Sequence, residues 1–88
     1  MRVTVYISRA DYNDSGTTVH TTVYVEMDVA HFKDVLSDSR VLKNARKLTP
    51  NLLERIQLGS ATIDRSGKHY SWTISNESEQ QMISVWNE

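Results

Sequence analysis

"RVTVYISRADYNDSGTTVHTTVYVEM", residues 2–27, decides the fold. Its first part alternates. Val3, Val5 and Ile7 point one way, and Arg2, Thr4, Tyr6 and Ser8 the other, the period of a half-buried strand. From Thr18 the alternation resumes. Val19, Thr21, Val23, Val25 and Met27 share one face, and His20, Thr22, Tyr24 and Glu26 the other. Between the runs lies a cluster of Asp, Asn, Ser and Gly, so the stretch reads as a β-hairpin.

The intervening loop invites a second reading. Asp11, Asn13, Ser15 and Gly16 occupy the first, third, fifth and sixth places of an EF-hand calcium loop. That loop ends on an acidic bidentate ligand at its twelfth place, where this chain has Thr22, and helices flank it where strands are expected here. The same residue types are those turns use, because they cap locally or accept positive φ. The segment is therefore read as a turn, with no metal and no cofactor expected.

Beyond Met27 the period lengthens. Asp28 is an expected N-cap, followed by Val29, Phe32, Val35 and Leu36 at helical spacing to about Ser37. Asp38 or Ser39 offers a second start, with Val41, Leu42, Ala45 and Leu48 as the apolar stripe. Thr49-Pro50 marks a third, with Thr as cap and Pro at the first helical position; Leu52, Leu53 and Ile56 follow, and Gly59 stops it. Residues 60–65 and 68–75 flank Ser66-Gly67 as another hairpin, with Tyr70, Trp72 and Ile74 on one face. The tail has two readings. Asn76 and Glu79 form a capping-box pattern for a helix, whereas "MISVW" is rich in strand formers and tips the reading to a strand. Trp72 is read as core, and Trp86 as pinned into the core.

The expectation is one α+β domain over residues 1–88. An antiparallel sheet of four to five strands, built from the N-terminal hairpin and a C-terminal hairpin or meander, carries two or three helices on one face. With 88 residues, 39% hydrophobic and 24% charged, the chain suits a single small folded domain and not a disordered one. Zero cysteines removes disulfides, thiol catalysis and thiolate metal sites, and favours the cytoplasm. The opening "MRVTVYISR" has no apolar core of signal-peptide length, and no apolar run is long enough to span a membrane. Two N-x-S triplets, at Asn13 and Asn76, are read as chance matches to a glycosylation signal.

Two surfaces are candidates for function. The outward sheet face gathers Thr4, Tyr6, His20, Thr22, Tyr24, Thr62, His69, Ser71 and Thr73, rich in rings and hydroxyls and poor in charge. Tyr6, His20, Thr22, Tyr24, His69 and Ser71 are its expected partner-binding residues. A solvated face of good strand formers is the plain alternative, and a homodimer through this face another. The second surface is a basic stripe. Arg40, Lys43 and Lys47 share a helical face with Arg46 beside them, suited to phosphates or an acidic partner, or simply solvated. The net charge of −1 argues against non-specific nucleic-acid binding by the whole chain.

Catalysis has thin support. His20, His31 and His69 lack metal-ligand spacing, and the three glycines are scattered. An approach of His20 and His69 across the sheet, with Asp64 joining them, would suit acid–base work. Nothing else points that way, and the chain is expected not to be an enzyme. No family motif is present. In size and style the chain is similar to the small inhibitors made by phages and other mobile elements, anti-CRISPR and related anti-defence proteins. That resemblance involves no particular residues and implies a cytoplasmic interaction module acting by occlusion on a macromolecular partner, a protein first. A nucleic-acid-associated protein using the basic stripe is the first alternative, a small-ligand binder or enzyme using His20, His69 and Asp64 ranks below it, and no membrane partner is expected.

Overall fold

The computed structural model describes residues 1–88. The chain runs β1 (Arg2–Tyr12), β2 (Thr18–Asp28), a 3-10 helix (Phe32–Ser37), α1 (Ser39–Leu48), α2 (Pro50–Gln57), β3 (Thr62–Ser66), β4 (His69–Ser75) and β5 (Glu79–Asn87). All five strands form one antiparallel sheet in the order β2-β1-β5-β4-β3. This is the expected α+β architecture.

Alternation builds the core. Val3, Val5 and Ile7 of β1 pair across the ladders with Met27, Val25 and Val23 on one side, and Val5 and Ile7 meet Val85 and Ile83 on the other. Tyr70 and Trp72 of β4 continue the row beyond Val85 and Ile83. Onto this face pack Val35 of the 3-10 helix, Val41 and Ala45 of α1, and Leu52 of α2, all fully buried. Burying such side chains stabilises by roughly 1.5–3 kcal/mol each before conformational entropy is charged against it.

The tail is a strand, and it lies between β1 and β4 in the middle of the sheet. The Asn76 side chain does cap, but it closes a turn. Its Oδ1 accepts from the backbone N–H of Ser78 and Glu79 at 2.8 and 3.0 Å and from the Ser78 hydroxyl at 2.9 Å. Asn13 does the same at the β1–β2 turn, accepting from the N–H of Ser15 and Thr17 and from the Ser15 hydroxyl. The two N-x-S triplets are thus the same Asx-type turn used twice. They sit together at one end of the sheet, where the Tyr12 N–H donates to the Ser78 carbonyl at 2.9 Å.

Three local expectations are corrected. Asp28 does not start a helix: it ends β2 opposite Arg2, whose guanidinium reaches its carboxylate at 3.3 Å, and Val29 N–H still bonds the Met1 carbonyl. Strand pairing therefore outlasts the cap signal, and the 3-10 helix begins later, where the His31 N–H donates to the Asp34 carboxylate at 2.9 Å. Thr49 occupies the cap position of α2, but its hydroxyl donates back to the Ala45 carbonyl at 3.1 Å. A side-chain acceptor comes instead from the sheet: Gln81, fully buried on β5, accepts at 3.2 Å from the Leu52 N–H, which also bonds the Thr49 carbonyl at 3.1 Å. Trp86 is not pinned into the core; 47% of it is exposed, because alternation from Ile83 and Val85 sends it to the opposite face. Asp38 caps α1 as expected, accepting from Arg40 and Val41 N–H at 2.8 and 3.2 Å. Gly59, at φ +74°, ends α2 in the left-handed region that favours glycine.

Candidate functional site

Every helix lies on one side of the sheet, so the other face is open. The registers fix its rows. Glu26, Thr4, Trp86 and His69 stand side by side, then Tyr24, Tyr6, Ser84 and Ser71, then Thr22, Ser8, Met82 and Thr73. Large rings surround small hydroxyls, which leaves a hollow of about 390 Å³ lined by Tyr6, Ser8, Thr22, Tyr24, His69, Met82, Ser84 and Trp86. Neither a carboxylate nor a lysine or arginine lines it. Ser84 is buried at its base with Ser71 buried beside it, while Tyr24 is 64% exposed.

The rim is internally ordered. Tyr6 and Tyr24 meet edge to face at 5.0 Å and 81°. His69 stacks on Trp86 at 4.2 Å and 29°, and its Nε2 shares a hydrogen bond with the Ser84 hydroxyl. Aromatic pairs so arranged hold each other's rotamers, and rigid rings lose little entropy when a partner covers them.

Of the six residues expected on this face, Tyr6, Thr22, Tyr24 and His69 line the hollow, and Ser71 lies beside its base. His20 points to the same side but sits farther out, opposite Ala10 on the exposed hairpin arm. Ser8, placed on this side by the alternation of β1, also lines the hollow without being among the expected binding residues, and the sequence reading missed Met82, Ser84 and Trp86. The strand reading of the tail, carried through as alternation around Ile83 and Val85, places all three on this face.

The histidines do not come together. His20 is on β2 and His69 on β4, with β1 and β5 between them, about 14 Å across the sheet and about 20 Å along it. Asp64 faces Ser71 on β3. The approach of His20, His69 and Asp64 is thereby excluded.

The basic stripe has a defined setting. α1 packs over β1 and β2, and Arg40, Lys43 and Lys47 line a groove of about 670 Å³ with Arg2, Asn44 and the Val23–Glu26 stretch of β2. Arg46 is exposed but does not line it. Arg40 is anchored to Asp38 at 3.3 Å and donates to the Glu26 carbonyl at 3.3 Å. Partial burial opposes the Asp38 charge. Hydrogen bonds from the Arg40 side chain and from Val41 and Arg40 N–H, with the Arg40 charge, outweigh it and hold the carboxyl below the usual range.

In comparisons with known proteins, the chain matches no protein-family profile, no curated protein and no solved structure. No helix is long and apolar enough to cross a membrane.

Proposed function

We propose that this chain is a non-catalytic interaction module that binds a protein partner through the open sheet face. The observation behind this reading is the one-sided packing. The uncovered face presents Tyr24, Tyr6, Trp86, His69 and Met82 around an uncharged hollow. Exposed aromatic rings free of competing charge are the composition of interface centres, where a few such side chains carry most of the binding energy. A rigid face of this kind acts by covering a surface of its partner. That is occlusion, the mode implied by the resemblance to small anti-defence inhibitors, and the cytoplasm is its proposed place of action.

The test is affinity capture from a nuclease-treated bacterial lysate, comparing the parent chain with a Tyr24→Ser, Trp86→Ser double variant. Both residues are exposed, so the variant keeps its core. The expected result is one protein captured stoichiometrically by the parent and at least about tenfold less by the variant. Equal capture by both, or capture that disappears with nuclease, overturns the reading.

A further inference from the structure

β2 is an edge of the sheet, and its outer side can be read from three bonds. Val29 N–H bonds the Met1 carbonyl at 2.9 Å, and Glu88 N–H bonds the Arg2 carbonyl at 3.0 Å. Odd-numbered residues of β1 therefore face β2, and even-numbered ones face β5. Across the β1–β2 ladder odd pairs with odd, as in Val5 with Val25, so the even residues of β2 turn their backbone groups outward. The third bond agrees: the outward Glu26 carbonyl is the one Arg40 reaches. The N–H and C=O of Tyr24 thus point into the groove beside α1, those of Thr22 point outward just beyond its end, and no hydrogen bond within the molecule occupies them.

Proteins usually blunt such an edge with proline, a bulge or a covering element. At Thr22 and Tyr24 β2 has no proline and no bulge, and the contact from α1, through Arg40, falls on the Glu26 carbonyl. The single proline is Pro50, and the β1–β2 register is one-to-one from Arg2–Asp28 to Tyr12–Thr18. The groove wall is cationic. Arg2, Arg40, Lys43 and Lys47 line it against one carboxylate, Glu26, which Arg2 already meets at 3.5 Å. Lys43 and Lys47 have no ion pair; the five in the molecule use Arg2, Arg9 and Arg40. In a chain of net charge −1 this is a local concentration of unpaired positive charge along an open hydrogen-bonding edge.

We infer that β2 accepts a sixth strand, an extended acidic segment of a protein partner. The added backbone pairs with Thr22 and Tyr24, and alternate side chains, directed to the helix side, bring carboxylates to Lys43 and Lys47. A second copy of this chain is the wrong occupant. Two β2 edges related by a two-fold axis would set both α1 helices on the same side, lysine against lysine. Nucleic acid supplies phosphates but not the alternating backbone donors and acceptors this edge offers. The open-face reading is not needed for this inference.

The experiment is fluorescence anisotropy with a labelled synthetic peptide of about ten residues alternating Glu and Thr. Controls are the Lys/Thr counterpart, a Glu/Thr peptide N-methylated at alternate backbone positions, and a single-stranded oligonucleotide. Saturable binding of the Glu/Thr peptide is expected, weakened at least about tenfold by N-methylation and by Lys43→Glu with Lys47→Glu. The Trp86→Ser variant, which removes an exposed ring of the open face on β5, away from β2, is expected to bind the peptide within about twofold of the parent. No binding, equal binding of the N-methylated peptide, or preference for the oligonucleotide overturns the inference. N-methylation leaves the protein untouched, so that arm is independent of any effect of the lysine changes on folding.

Discussion

Gln81 shows how much one side chain can couple. It sits on the central strand, fully buried, and accepts from Leu52 N–H in the first turn of α2 while its amide donates to Glu79 at 3.1 Å. Sheet and helix are joined there by a buried hydrogen bond. Gln81→Ala is expected to cost about 2 kcal/mol, from the lost bond and the space left behind. Chemical denaturation compared with the parent measures it. Asp38 works by charge as well as by capping. Asp38→Ala is expected to cost about 1 kcal/mol at neutral pH. Because the folded carboxyl titrates below its ordinary value, its contribution is complete above the unfolded value, about 3.9, and fades as pH falls through the folded one. The stability difference between parent and variant, followed by urea melts, should therefore narrow as pH falls through the carboxylate range.

At the scale of elements, the two terminal strands hold the centre and the hairpin reaches away from it. β1 pairs with β2 and β5 together, and β5 with β1 and β4. Their buried residues Val3, Val5, Ile7, Ile83 and Val85 have no exposure at all. Residues 11–22 are exposed throughout, since no helix reaches that part of the hairpin, and even Val19 on the helix side is 56% exposed. Amide hydrogen exchange is expected to be slowest in β1 and β5 and faster by at least about tenfold in residues 13–21. Uniform protection along the hairpin would contradict that division. The same arrangement places β2 at an edge, with its outward backbone groups beside the lysines of α1.

For the whole molecule, the decisive property is that one layer of helices covers one face of a five-stranded sheet. Burial is concentrated between the layers. The remaining aromatic residues are left on the uncovered side, and Trp86 gathers with Tyr6, Tyr24 and His69 because their strands are brought into register. The capture experiment is the prediction belonging to this scale, since it asks whether that face as a unit meets a partner.

The sequence by itself determined what depends on neighbouring residues. Alternation in residues 2–8 and 18–27 specified the hairpin and sorted Tyr6, Thr22 and Tyr24 from the core, because side chains in a strand have a period of two whatever the strand pairs with. Asp38, Pro50 and Gly59 marked helix boundaries through local capping and backbone constraints. What only the tertiary structure decided was non-local. The tail's pattern suited both helix and strand, and β5 is a strand because its backbone groups find partners on both sides, in β1 and β4. That pairing exposed Trp86, made Gln81 the cap of a helix distant in sequence, separated His20 from His69, and set Lys43 and Lys47 beside the free edge of β2. Each follows from which strands lie side by side, a choice made by the summed burial of the whole sheet and written in no single segment.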